Sequence, residues 1–293
     1  MKVAVAKYPI QAPADFTALA QRQAAVLGQA AAQGARIAVL PEYLSLELAA
    51  SFDGATRADL HASLAALQRY RDDWLALYAR LAASLDMYVA AGTFLLGQGD
   101  GRYRNRCDLF TPHGSHLWQD KLQLTGFEKG LGVIEGGDAL KVFELDGVRV
   151  GVAVCYDSEF PLPVHAQAEA GARLLLVPSC TDTWAGATRV RVGCLARALE
   201  NRMFVAQSVT AGEAPWSPAL DVNTGEAAIF APMDRGLPAD GVVAQTTGDA
   251  VWAIADIEFE ALERSRAEAQ VANDRDWMGQ LKPALTRAKL HAL

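Results

Sequence analysis

The chain has 293 residues, 51% of them hydrophobic and 21% charged, with a formal net charge of −7. That balance argues against a nucleic-acid footprint, which needs a basic patch or stripe, and gives no pull toward anionic membranes. The apolar share suffices for a large core and excludes a disordered or fibrous chain. The opening MKVAVAKYPI carries one early Lys and moves straight into strand-like alternation, unlike a secretory signal. No apolar run approaches the roughly 18 residues of a membrane span, so a cytoplasmic protein is expected.

Residues 3–10 (VAVAKYPI) predict a strand, 15–34 an Ala-rich helix stopped by Gly34, and 36–43 (RIAVLPEY) a short strand closed by Pro41. Strand, helix, strand in that order is a parallel βαβ unit. Apolar positions at helical spacing, from Leu60 to Leu85, give one or two helices over 56–85. MYVAAGTFLL (87–96) is the next strand, 98–106 a turn, and CDLFT (107–111) with SHLWQDKLQL (115–124) a hairpin. ALKVFELDG (139–147) and VRVGVAVCYD (148–157) pair about an Asp146-Gly147 turn. A helix over 161–173, a buried strand at 173–179 (RLLLVPS), a helix over 185–202 and a strand at 203–210 (MFVAQSVT) follow. Segment 212–241 is rich in Gly, Pro, Asp and Asn, with strand fragments such as AAIFAP, and VWAIADIE (251–258) is the last core strand. From 258 the chain is charged and helical, ending in a tail after Trp277.

Strand and helix alternate throughout without a low-complexity linker. RIAVLPE and RLLLVPS are alike, and each lies close behind a Gly-Ala pair (Gly34-Ala35 and Gly171-Ala172). The expectation is an α/β fold, a four-layer α-β-β-α sandwich of two mixed sheets with helices outside. It occupies one domain over residues 1–257, with a C-terminal helical tail over 258–293. The four cysteines, Cys107, Cys155, Cys180 and Cys194, lack CxxC spacing and nearby paired histidines, which speaks against a zinc site. A reducing compartment speaks against a disulfide framework, and each cysteine is by default a small buried hydrophobe.

Three reactive side chains stand at strand ends, where active-site groups of open α/β sheets gather. Glu42 follows the apolar run of RIAVLP, where partial desolvation raises a carboxyl toward the range of a general base. Taken alone it also reads as a surface carboxylate. Lys121 ends an alternating strand and suits the holding of an oxyanion, or else it is a solvated strand-edge lysine. Cys155 ends an almost wholly apolar strand at a turn. A nearby base and cation there would lower its pKa and make thiolate; alone, it reads as a core cysteine.

Taken together, the three resemble the Glu-Lys-Cys triad of the nitrilase (carbon–nitrogen hydrolase) superfamily, amidase-like branch. The matching motifs are LPEY, DKLQLTGFE and GVAVCYDSEFP, with GARLLLVPS and RALENRMFVAQ after them, over residues 3 to about 257. The resemblance implies that Cys155 attacks an amide or carbamoyl carbon to form a thioester, releasing ammonia or an amine. Glu42 would act as base, and Lys121 with the Tyr156 backbone N–H would hold the oxyanion. Glu128, seven positions after Lys121, would orient Lys121 and the substrate amine. It further implies a small-molecule substrate, no metal or organic cofactor, and a homodimer or larger homo-oligomer embraced by the tail. Cys-Tyr-Asp is closer to amide and carbamoyl hydrolases than to nitrilases, which more often carry Cys-Trp-Glu. A true nitrilase and a catalytically silent binding protein on the same fold remain the alternatives.

The chain departs from the family where many relatives carry a His-Trp pair, since here residues 187–192 read ATRVRV. Trp184, earlier in the segment, is a candidate pocket wall. Arg189 or Arg191 is a candidate partner for an acidic substrate group, with a pair of surface arginines as the plainer reading. Arg197, Glu200 and Asn201 are expected to be structural.

Overall fold

A computed structural model describes residues 1–290. Its strands in chain order are β1 (Lys2–Pro9), β2 (Ile37–Leu40), β3 (Tyr88–Gly97), β4 (Tyr103–Phe110), β5 (His116–Asp120), β6 (Ile134–Glu135) and β7 (Val142–Leu145). They continue as β8 (Val148–Val152), β9 (Leu174–Ser179), β10 (Phe204–Glu213), β11 (Val222–Asn223), β12 (Ala228–Phe230), β13 (Val242–Gln245) and β14 (Trp252–Asp256). The helices are α1 (Phe16–Ala32), α2 (Gly54–Ala58), α3 (Leu60–Leu67), α4 (Arg71–Ser84), α5 (Gly126–Leu131), α6 (Pro161–Glu169), α7 (Trp184–Asn201), α8 (Phe259–Ala267) and α9 (Asn273–Asp276). None of them is long and apolar enough to cross a membrane, among the described residues.

The fold is a mixed α/β fold whose strands run in the order β5-β4-β3-β2-β1-β10-β9-β8-β7. Pairing is parallel from β3 through β2 and β1, and again from β10 through β9 to β8. It is antiparallel at the β3–β4, β4–β5 and β7–β8 edges. The likeness of the two Arg-led strands has a spatial counterpart, because β2 lies beside β1 and β9 beside β10. β1 gives its first residues to β2 and β14 and its last three, Lys7 to Pro9, to β10. The two expected sheets are therefore joined along one seam.

Period-two alternation along the strands explains the layers. Val3, Val5, Ile37, Val39, Ala90 and Leu109 share one buried cluster with Val150, Val152, Leu174, Leu176 and Val205 of the other half. The alternate residues Ala4, Ala6, Tyr8, Ala38, Leu40, Val89 and Ala91 pack instead with Leu19 and Leu27 of α1 and with Trp74, Leu77 and Leu81 of α4.

Several boundaries differ from the sequence expectation. Strand β4 begins at Tyr103, inside the expected turn, because Tyr103 pairs with Gly97. The expected strand at 115–124 stops at Asp120, leaving Lys121 to Leu124 as loop. The helical stretch at 56–85 divides into three, with Asp53 capping α2 and Asp59 capping α3 through side-chain oxygens. A 3-10 stretch, Leu44–Ser51, follows Glu42 where nothing was predicted. The helix at 161–173 ends at Glu169, and Gly171 at φ +97° turns the chain into β9. The Asp146-Gly147 hairpin turn is present, with both residues at positive φ.

The tail folds back on its own chain. Arg202, 1% exposed, donates to Asp234 at 2.8 Å and to the carbonyl and hydroxyl of Ser265, each at 2.8 Å. Trp277 stacks on His165 of α6 with ring centroids 3.9 Å apart. The last three tail positions, 291–293, lie outside the described residues.

Candidate active site

Glu42 owes its place to a bulge in the neighbouring strand. Between Ala90 and Thr93 the register of β3 against β4 shifts, and Gly92 takes φ +69°. A Cβ on Gly92 would lie 2.2 Å from the Pro41 carbonyl, so only glycine lets that carbonyl approach. Thr93 Oγ1 accepts the Tyr43 N–H at 2.8 Å, and Tyr43 itself is left-handed at φ +60°. The chain turns sharply after Pro41, and Glu42, 1% exposed, is held inside the fold.

Lys121 follows the last residue of β5. Its N–H donates to the Asn105 carbonyl at 2.9 Å and its carbonyl accepts from Gly137 at 2.7 Å. Cys155 stands three residues beyond the end of β8 and opens a 3-10 turn, Cys155–Glu159, at φ +49°. A left-handed non-glycine residue costs on the order of 1–3 kcal/mol and persists only where its surroundings impose it. Here α7 does so. Gly193 lies so close to the turn that a Cβ would meet the Ser158 carbonyl at 2.9 Å, and Arg197 donates to the same carbonyl at 3.2 Å.

Around Lys121 the side chains form one buried set. Its Nζ lies 2.8 Å from Glu42 Oε1 and 2.8 Å from Glu128 Oε2. Asn105 Nδ2 donates to Glu42 Oε1 at 2.8 Å and to Glu128 Oε1 at 3.2 Å. Glu128 belongs to a capping box on α5, accepting the Thr125 N–H at 2.9 Å, and also takes the Tyr43 hydroxyl at 2.8 Å. Both bonds on Glu42 fall on Oε1, and the Cys155 thiol lines the same cavity. Cys155 Sγ also lies 3.5 Å from the Cys180 carbonyl.

The charges follow from burial and pairing. Burial raises the Glu42 carboxyl above the usual carboxylate range, against the opposing pull of Lys121. Burial would lower Lys121, but the carboxylates of Glu42 and Glu128 outweigh it and hold the ammonium charged. Burial would likewise raise Glu128, and Lys121 outweighs it, so Glu128 stays an anion. The Cys155 thiol is pushed well above its usual value by burial and then by the Glu42 charge, with Lys121 opposing. This corrects the expected lowering. Desolvation and the Glu42 carboxylate outweigh the single cation, which favours the protonated thiol.

A cavity of about 250 Å³ opens on Glu42, Lys121 and Cys155, with Tyr43, Phe127 and Tyr156 among its other lining residues. Arg189 also lines it, with Glu159 at 3.8 Å. Trp184 is outside this lining, 70% exposed, on a neighbouring depression bounded by Gly212 and Thr224. Arg191 points elsewhere, donating to Gln245 at 2.8 Å. Arg197 pairs with Glu200 on its own helix, and Asn201 meets His165 at 2.9 Å. Among the described residues no cluster could hold a metal ion, and the four cysteines are free.

Sequence reasoning missed Asn105, Tyr43, Asp157 and Cys180. Asn105 fell in a stretch taken for a turn; read as a strand, that stretch shows a polar residue at a buried position. Asp157 stands inside the cysteine motif, so its signal was present. Cys180 lines the cavity, its thiol pushed up to about 12 by burial.

Comparison with known proteins matches the carbon–nitrogen hydrolase family over residues 2–258. The chain is 27% identical over 277 residues to the probable hydrolase YhcX of Bacillus subtilis. The match covers 94% of this chain and 53% of that protein, so the chain spans about half of that relative's length. It is 27% identical over 197 residues to the omega-amidase NIT2 of Xenopus tropicalis, covering 63% of this chain and 68% of that one. Among solved structures, Nit3 of Saccharomyces cerevisiae, a member of branch 10 of the nitrilase superfamily, superposes with a TM-score of 0.75 at 19% identity. That superposition covers 94% of this chain and 96% of Nit3. A carbon-nitrogen hydrolase from Helicobacter pylori gives a TM-score of 0.77 at 17% identity, covering 98% of each chain. Both share this fold.

Proposed function

This chain belongs to the carbon–nitrogen hydrolase family, and on that premise we propose that it hydrolyses a non-peptide amide or carbamoyl bond through a cysteine thioester. The observation that carries this reading is the Lys121 ammonium, 2.8 Å from each of two buried carboxylates on a cavity that also holds Cys155. The omega-amidase relative supports an amide over a nitrile.

Cys155 Sγ attacks the carbonyl carbon as its proton passes to Glu42. Burial raises the proton affinity of Glu42 above that of an ordinary carboxylate, which suits it to take that proton. The oxyanion forms against Lys121 and the Tyr156 backbone N–H. On collapse the carbon–nitrogen bond breaks, and the amine or ammonia leaves with the proton from Glu42. Water then attacks the thioester and gives its proton to Glu42. The acid departs, and the proton returns to the Cys155 sulfur. Each proton moves between these side chains, water and substrate. Arg189 lines the cavity and is the group to meet a carboxylate on the far end of the substrate.

The test is an ammonia-release screen over aliphatic amides, ω-amides, carbamoyl amino acids and nitriles. At least one amide or carbamoyl class is turned over, and Cys155→Ala abolishes it. Activity retained without the thiol, or turnover of nitriles alone, overturns the reading.

A further inference from the structure

Asp157 is 3% exposed and has no cationic partner within 4 Å among the described residues. It takes its hydrogen bonds from backbone instead. Oδ1 accepts from Leu122 at 3.1 Å and Gln123 at 2.6 Å, while Oδ2 accepts from Leu122 at 3.1 Å and Val154 at 3.0 Å. Leu122 and Gln123 directly follow Lys121, and Val154 directly precedes Cys155. One carboxylate thus spans two loops that come from different strand ends, each a single residue from a reacting group.

We propose that Asp157 is a positioning residue that fixes the Lys121 loop against the Cys155 turn, so that thiol and ammonium address the same substrate carbonyl. This rests on the function proposed above. Neither loop belongs to a strand at these positions, so no ladder hydrogen bond sets their separation. The Lys121 ion pairs tie its ammonium to Glu42 and Glu128 but leave the sulfur unreferenced. The carboxylate supplies that reference. Three N–H groups converging on one acid leave it no donor role, and only a group accepting at both oxygens serves them all. An asparagine accepts with one oxygen and turns its NH₂ toward either Val154 or Gln123, setting donor against donor.

The experiment compares wild type, Asp157→Asn and Asp157→Ala by steady-state kinetics on an amide that the wild type hydrolyses. It adds the rate of Cys155 alkylation by iodoacetamide, read by peptide mass, and a thermal melt. The expected result for Asp157→Asn is a kcat about 100-fold lower with KM within about threefold, and slower Cys155 alkylation in protein that melts cooperatively. Asp157→Ala falls further. Equal kcat and alkylation rate per folded molecule, with only a lower melting temperature, overturn the proposal and leave Asp157 a structural residue. Should Asp157→Asn not fold, Gln123→Pro keeps the acid, deletes one donor and is read the same way. Alkylation needs no turnover. If the wild type hydrolyses no amide, the parent reading fails, while the alkylation arm still decides whether Asp157 governs the thiol.

Discussion

Replacing Asn105 by Ala probes the electrostatic balance most directly. Its Nδ2 bridges the two carboxylates, at 2.8 Å to Glu42 and 3.2 Å to Glu128. A hydrogen bond to a charged group contributes about 1.5–3 kcal/mol, and the longer bond to Glu128 belongs at the weak end. Glu128 keeps donors from Lys121, Thr125 and Tyr43, so its loss is small. Glu42 keeps only Lys121 on Oε1 beside the thiol, and it is already raised by burial. Losing about 2 kcal/mol from the ionised form lifts its carboxyl still further above the usual carboxylate range. Glu42 is then less ionised at a given pH. We expect kcat/KM to fall roughly 30-fold at pH 7 and the acid limb of its pH profile to move upward. A water entering the vacated space would soften both effects. The assay is ammonia release from pH 5 to 9 with a melting curve to establish folding. A rate within about twofold of wild type and an unmoved acid limb would refute the reasoning.

Gly92→Ala should destabilise the protein by at least about 2 kcal/mol, combining a left-handed backbone with a Cβ 2.2 Å from the Pro41 carbonyl. Urea titration measures this, and an unchanged midpoint would mean the bulge is not held as described. Glu47 supplies a pH signature. Burial pushes its carboxyl up to about 7, although it accepts from Tyr8 at 2.7 Å and Gln11 at 2.6 Å. Its folded proton affinity exceeds the unfolded one, so its stabilising contribution is complete below about pH 4 and is lost as pH rises through 7. Between pH 5 and 8, Glu47→Gln should flatten the fall in unfolding free energy by about 3 kcal/mol, measured by urea titration at both ends. Equal slopes in the two proteins would dismiss Glu47 as the source.

The parts of the site legible in the sequence are those that end an apolar run. Glu42, Lys121 and Cys155 each follow a strand whose alternation or apolarity is visible locally, and the structure brings all three to one cavity. Glu128 was implied by the family resemblance and not by any local pattern, and it sits in the hydrogen-bonded set as a capping-box residue. Asn105 was hidden because Gly99, Asp100 and Gly101 pull a local reading toward a turn. The pairing of Tyr103 with Gly97, which makes the stretch a strand, is a tertiary event. The Gly92 bulge was hidden for the same reason, since a positive φ inside MYVAAGTFLL has no local signal. The proton affinity of Cys155 was misjudged in direction. The identity of the neighbours suggested thiolate, but the degree of burial, which no local pattern carries, decides the sign. Trp184 was read as a candidate pocket wall just ahead of the helix; it opens that helix instead, and the outward face it shows was not deducible from sequence.

The seam at β1 and β10 has a bearing on how the proposed chemistry is put together. Glu42 and Lys121 hang from β2 and β5, on one side of that seam, and Cys155 hangs from β8 on the other. The base and ammonium lie in the half of the chain synthesised first, and the sulfur in the half synthesised second. Neither half alone holds the Cys155 sulfur together with Glu42. The parallel pairing of Lys7 to Pro9 with Val209 to Ala211 ties the two halves together. On the proposed mechanism, a chain cut or stalled between the halves would be chemically quiet.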